Sequence, residues 1–536
     1  MKRRITTAVL AIAAVIVGMV SAVAFNTVTR NGELVADGAW SWFQDARAVH
    51  YIGAHDRTYI GYVDSAGDVD IVSQDTQTAR LVHTQLHAAF QSDDHAAPGL
   101  AVLPDGRIFV AYSKHLVSPM YYRISTNPED IGAFGPERIA VPTDVTYANP
   151  IYLSAEHRLY LFFRGTSIHP SVVSTTDYIH WTAPQSVIVP QVSYGATRPY
   201  AKYATNGVDT ISIAFTDGHP REDALHGHAT SLYDIEYKTG VGWYTPAGTA
   251  LTLPVKIDDL QSKPDALVYR DPGTAPAWLS DAAIDPATGN PVAAYPVYHG
   301  MDASDAQYHY ARWDGSGWVD SRLTNAGGSI ATENPNEMEY SGGMDIDRSD
   351  PSTVYLSRET TLTSGVWQIE QWHTANGGHT FAQQAVITPN PTVKNVRPVV
   401  PWGPPGEIKV LWRSGSYPIG GTGYHTQLRE WTTGLAPTTA RISVSATSIR
   451  LGQTVTVGGR LMQGYLGAPV PHAVLQLWQH VAGQTPVLAA RASTDVNGLV
   501  SFVRHPGQNV WYTVKFEMTT NYSASATQPR IVYVLK

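Results

Sequence analysis

The sequence predicts an all-β protein in two parts, a β-propeller followed by an immunoglobulin-like β-sandwich. Three observations carry this. Short alternating or apolar runs recur along most of the chain, Gly, Asp, Asn and Pro separate them, and the texture changes after about residue 435.

Met1, Lys2, Arg3 and Arg4 form a positive start, Thr6 to Val23 is almost wholly apolar, and Ala22-Val23-Ala24 is a small-residue cleavage site. Residues 1–24 are therefore expected to be an export signal, which makes the mature protein secreted or attached to the cell surface. Although that compartment permits disulfides, the 536 residues contain no cysteine. Thiol nucleophiles and zinc–thiolate centres are excluded, and stability must come from a large core. The 43% hydrophobic content is sufficient for one.

Between residues 25 and 435, "TYIGYVDSAGDVDIVSQD", "LAVLPDGRIFVAYS", "IYLSAEHRLYLFFRG", "DTISIAFTDG", "STVYLSRET" and "IKVLWRSGSY" read as strands joined by turns such as Pro104-Asp105-Gly106. So many strands exceed one sandwich. Four-stranded units of about 45 to 55 residues suit a propeller of about seven blades. "TANGGHTF" (Thr374 to Phe381) matches the Ser-x-Asp-x-Gly-x-Thr-Trp hairpin box found in sialidase-type propellers, and "STTDYIHW" (Ser174 to Trp181) is a looser copy.

Past a linker near Gly434 to Thr439, clean alternation resumes in "ARISVSATSIRLGQTVTVGGRL", "AVLQLWQH" and "WYTVKFEMTT". Residues 440–536 are expected to form the sandwich, with seven or eight strands. The segment has no evident catalytic cluster and reads either as a carbohydrate-binding module or as a spacer.

The net charge of −8 with 15% charged residues gives no basic stripe, so no nucleic-acid partner is expected. An anionic ligand must be held by local arginines. The 29 Tyr and 14 Trp suit sugar stacking and suit β-sheet cores equally. Candidates for chemistry cluster where apolar runs begin or end: His95 and His115, Tyr147 and Asn149, Arg164, then Arg198, Tyr200 and Lys202, then Asp217, His219 and Arg221. An arginine closing so apolar a run as Leu159 to Phe163 is costly unless it meets an anion or a carboxylate. A metal reading of Asp217, His219, His226 and His228 lacks tight ligand spacing, and Glu333, Glu337 and Glu339 form an acidic, aromatic-rich run.

The phrases "GAWSWFQDARAVHY", "DDHAAPGLAVLPDGRIFVAYSKH", "TYANPIYLSAEHRLYLFFRG", "RPYAKYATNG", "FTDGHPRE", "YSGGMDIDRSDPSTVYLSRE" and "NVRPVVPW", in that order, resemble the BNR-4 repeat family. That family includes seven-bladed propeller polysaccharide lyases, the ulvan lyases and the L-rhamnose-α-1,4-D-glucuronate lyases. The resemblance implies a reaction centre of His95, His115, Tyr147 and Arg164, with Tyr152 and Tyr160 as alternatives for the tyrosine. It implies β-elimination at a uronate, with Arg164 neutralising the carboxylate, Tyr147 as base and His95 assisting. Asn149, Arg198, Tyr200, Lys202 and His219 are then candidates for substrate binding.

Elimination itself needs no cofactor, and a structural Ca or Zn ion stays open. The expected substrate is a rhamnosyl-glucuronate end of arabinogalactan or gum side chains, acted on by a monomer. Alternatives are ulvan, hydrolysis of a sialidase or rhamnosidase type, and a non-catalytic sugar-binding propeller. The Arg-Ile-Pro phrase of sialidases is absent.

Overall fold

The computed structural model describes residues 28–536 apart from 77, 191–197, 226, 300–304, 332–338, 360–364, 419–420, 435–437, 464–468, 518–521 and 523–524. The expected export signal, His226, Glu333 and Glu337 lie outside the described residues.

Strands dominate, as the turn-punctuated runs predict; the inner ones, such as Thr210–Thr216 and Pro291–Tyr298, are buried along their whole length, and the described helices are short, such as Pro220–Leu225 and Ile257–Leu260. Among the described residues, the chain up to Gly434 folds into seven antiparallel sheets of four to six strands, plus one parallel pair. Each sheet is built chiefly by consecutive strands. The exception closes the chain on itself: Val28–Val35 pairs with His425–Gly434, Val28 lying opposite Gly434. A strand from one end of the sequence thereby completes a sheet begun at the other, which removes two free edges.

The two hairpin boxes occupy equivalent places. Thr374 to Phe381 joins the third strand of its sheet, Gln368–His373, to the fourth, Ala382–Val386, and Ser174 to Trp181 leads from Pro170–Thr175 to Gln185–Ser186. In the first, Asn376 accepts from the Thr380 amide; in the second, Asp177 accepts from the amides of Ile179 and His180. A side chain that satisfies turn amides is the physical content of the box.

The first strands of successive sheets neighbour one another, and polar networks tie them together. Lys202, in Ala201–Thr205, places Nζ 2.6 Å from Asp45 Oδ2, and Arg47 joins Asp45 to Asp345 in Met344–Ile346. Arg348 continues the chain from Asp345 to Asp281 in Asp281–Ile284. All of these charges are buried or nearly so, and each is paired, as burial demands.

Residues 438–535 form a three-stranded and a six-stranded sheet, with nine described strands rather than the expected seven or eight. They bury a core of their own, which includes Val455, Leu475, Tyr512 and Val532.

Candidate active site

Asp93, Asp94 and His95 make a tight turn immediately before the strand Gly99–Val102. The Asp93 side chain caps it by accepting from the His95 amide. His115 follows the neighbouring strand Ile108–Lys114, so the twenty residues between the histidines are one strand–turn–strand unit that returns to its start. Their rings stack with centroids 3.8 Å apart and planes 5° from parallel.

One carboxylate organises both rings. His95 Nδ1 lies 2.6 Å from Asp93 Oδ1, and His115 Nδ1 lies 3.3 Å from Asp93 Oδ2. Burial alone would raise the Asp93 pKa, but hydrogen bonds from the two imidazoles hold it well below the carboxylate range. With both Nδ1 atoms turned to Asp93, the Nε2 atoms are left for other partners. Burial acts to lower the His95 pKa, yet Asp93 and Asp94 together carry it above its usual 6.5. His115 moves the other way: burial lowers it, and the nearby His95 and Arg164 add to the effect against Asp93. The surroundings therefore push the two pKa values apart, His95 toward the cation and His115 toward the neutral ring whose Nε2 can accept a proton.

Tyr147 reaches the same place through a defect in its strand. The pairing of Thr146–Leu153 with Arg158–Arg164 slips between Thr146 and Asn149, and Tyr147 has φ +64°. Such a bulge re-aims a side chain that regular alternation would send elsewhere. The Tyr147 ring lies 5.3 Å from that of His95, and the Arg164 guanidinium carbon sits 4.6 Å from its centroid. Arg164 donates to Tyr200 Oη at 3.2 Å and Thr146 Oγ1 at 3.4 Å, while its Nε has no partner. It is 5% exposed and pairs with no carboxylate of a described residue. A buried guanidinium that meets no carboxylate among the described residues is suited to an anion.

Other expected residues divide into two groups. Tyr200 and His219 share this wall: Tyr200 packs on Phe43 at 4.7 Å, and the His219 ring lies 5.6 Å from that of Tyr200. Burial, aided by Arg198, Arg164 and Arg221, pushes the His219 pKa down to about 3, so it is a neutral imidazole. Among the described residues, Asp217, His219 and His228, the candidates of the metal reading, are not gathered into one group of ligands. Asp217 instead accepts from the Ser231 amide. The Arg198 guanidinium lies 6.0 Å from the Tyr200 ring.

Asn149 and Lys202, expected to bind substrate, are both buried and engaged with protein groups. Asn149 is 1% exposed, accepts from the Asp45 amide and donates to the carbonyls of Phe43 and Tyr147, so it braces the bulge. Lys202 is fully buried against Asp45 beneath the site. Tyr152 and Tyr160 are engaged elsewhere, with His157 and Glu156. For Tyr147, which the resemblance implies as base, burial outweighs Arg164 and raises the pKa, so the phenol keeps its proton.

Sequence reasoning missed the charge centre behind the histidines. Asp94 is fully buried, and its Oδ2 receives Arg397 Nη1 at 2.5 Å, Arg413 Nη1 at 2.9 Å and Tyr417 Oη at 2.9 Å. Asp93 and Asp94 precede His95 directly and Arg397 lies in "NVRPVVPW", so the letters were visible; their meeting was not. Gly421 closes this corner with φ +81°, and a Cβ there would stand 2.5 Å from Asp93 Oδ1. Asp93, His95 and His115 can also hold a metal ion, their ligand atoms lying within 4.8 Å of one another.

The stacked histidines, Tyr147 and the buried Arg164 thus form one cation-rich cluster whose chemistry suits an anionic ligand. The family model of BNR repeat-containing family members matches residues 57–326, half of the chain, and the protein belongs to that family. Among solved structures, an ulvan lyase bound to GlcA(1-4)Rha3S is similar over 76% of this chain and 96% of that one, at 17% identity and a TM-score of 0.58. A further ulvan lyase structure gives 17% identity and a TM-score of 0.56 over the same shares. These likenesses establish the fold. No curated protein matches the sequence.

Proposed function

We propose that the protein is a secreted polysaccharide lyase that cleaves a rhamnose–glucuronate linkage by β-elimination and leaves an unsaturated uronate. The observation that carries this reading is Arg164, a buried guanidinium that pairs with no carboxylate of a described residue, beside the stacked histidines. A similar fold that binds GlcA(1-4)Rha3S supports a substrate containing rhamnose and uronate. In this reading the seven sheets are the blades of one propeller spanning 25–435, residues 440–536 are an immunoglobulin-like accessory domain, and residues 1–24 direct export of a monomer.

The chemistry follows from the charges. The C5 proton of a uronate is far too weakly acidic while its carboxylate remains charged. Arg164 and cationic His95 offset that charge and stabilise the enolate-like intermediate. Neutral His115 takes the C5 proton on Nε2, since its Nδ1 is committed to Asp93. As the C4=C5 double bond forms and the C4–O4 bond breaks, the Tyr147 phenol gives its proton to the departing O4. His115 then loses its proton to solvent and Tyr147 regains one. Tyr147 thus acts as the acid rather than the base, because burial keeps it protonated. None of these steps needs a metal ion or an organic cofactor.

The protein without residues 1–24 is to be incubated with gum arabic and, separately, with ulvan, while ultraviolet absorbance of the new double bond is followed. A rise on gum arabic is expected. A rise on ulvan alone would move the substrate to the sulfated polymer. Sugar release without absorbance would replace elimination by hydrolysis, and silence on both would leave a sugar-binding propeller.

A further inference from the structure

We propose that the outer face of the six-stranded sheet within residues 438–535 is a second binding site, and that its ligand is an acidic polysaccharide. The site is distinct from the cluster described above, and the inference holds whether or not that cluster catalyses elimination.

Charge is partitioned unevenly along the chain. The whole protein has a net charge of −8, yet residues 438–536 carry eight Lys and Arg side chains against two carboxylates, Asp495 and Glu517. The acidic character belongs entirely to the part preceding residue 438. A basic module on an acidic protein is an electrostatic statement about a ligand, because its cations find few partners at home. Arg450, Arg491 and Lys515 are paired with no carboxylate of a described residue.

The register places these cations together. Leu475, Leu477, Tyr512 and Val514 point into the core, so the alternate residues of the same strands form the opposite face. On that face Gln476 lies opposite Lys515 and beside Arg491, Trp478 lies opposite Thr513, and His480 lies opposite Trp511. The next strand adds Tyr533, 48% exposed, and the edge strand adds Arg450 beyond it. Three large aromatic rings, the half-buried Trp478 and Trp511 and the exposed Tyr533, thus share one face with Arg450, Arg491 and Lys515, and none of the rings is in the core.

Contacts within the face hold it in shape. Lys515 Nζ lies 4.6 Å from the Trp478 ring, Trp478 Nε1 donates to Gln476 at 2.8 Å, and Thr513 meets His480 at 3.4 Å. Rings on a rigid sheet present planar apolar surface to the C–H faces of sugars, and the ammonium and guanidinium groups beside them fit carboxylates along the same chain. A neutral glycan would have no use for the cations. A second attachment point on a polymer raises the effective concentration of the first.

The test uses the full mature chain in native gels containing polygalacturonate, dextran or no polymer, with binding to single-stranded DNA measured alongside. Polygalacturonate should retard the protein and dextran should not, and about 0.5 M NaCl should abolish the effect by screening. The double variant Arg491→Glu, Lys515→Glu should weaken retardation by about tenfold or more, as loss of one of two linked sites requires. Trp511→Ala should weaken it separately, and Arg450→Glu serves if the double variant melts early. Turnover on a short oligosaccharide should stay unchanged in all of them. Equal retardation of wild type and every folded variant would overturn the proposal. So would equal retardation by dextran, or DNA binding as tight as polyuronate binding.

Discussion

The imidazoles of His95 and His115 lie 3.8 Å apart, face to face, and share the two oxygens of Asp93. Two stacked rings cannot both carry full charge cheaply. Their surroundings resolve the conflict by sending the two pKa values in opposite directions from 6.5.

The pH profile follows from that split. The mechanism needs His95 protonated and His115 neutral. His95, raised above 6.5, loses its proton as pH rises through its shifted pKa, so activity falls on the alkaline side. His115, lowered below 6.5, gains one only as pH drops past its own value, so activity falls on the acid side. A bell in kcat/KM is expected, and Asp93→Asn should pull the alkaline limb downward because the carboxylate that raises His95 is gone. An alkaline limb unmoved in that variant contradicts the assignment.

Arg164→Ala should reduce kcat by about 10²- to 10³-fold, the usual loss when one preorganised charge-stabilising donor is removed. Arg164→Lys should recover only a fraction, since an ammonium keeps the charge and loses the two-pronged geometry. Near-wild-type turnover in either variant would remove Arg164 from the reaction.

Tyr147→Phe and His115→Gln separate the acid from the base. Each should slow elimination by about 10²- to 10⁴-fold. A substrate whose O4 bears a low-pKa aryl leaving group needs no acid, so it should restore turnover in Tyr147→Phe and leave His115→Gln slow. The reverse pattern would exchange the two roles.

The buried network below the site makes a prediction about stability. Lys202→Ala leaves the Asp45 carboxylate buried with Arg47 as its remaining ion-pair partner. A loss of about 3 to 5 kcal/mol is expected in urea denaturation. Asp45 titrates below 3.8 in the folded protein, so its contribution is present above that value and lost on acidification. A variant as stable as wild type would show that Arg47 alone satisfies Asp45.

Much of the architecture was legible in the residues. Alternation, Gly and Asp turns and two hairpin boxes announced an all-β chain, and the change of texture near residue 435 falls where the described cores separate. These signals are local, set by side-chain period and turn chemistry, and need no knowledge of what lies across a sheet. His95, His115, Tyr147 and Arg164 were equally visible as polar residues at the ends of apolar strands.

What tertiary structure decided is partnership. Asn149 and Lys202 have the same letters as ligand-binding residues, yet contacts with Asp45, more than a hundred residues away in sequence, make them framework. Asp94 gains its role only because Arg397 and Arg413 arrive from the far end of the chain. At Tyr147 the depth of burial outweighs the charge of Arg164 and raises the pKa. The sequence alone determined which groups sit at strand ends. Burial and charge pairing depend on distances between remote segments, and those exist only once the sheets have closed.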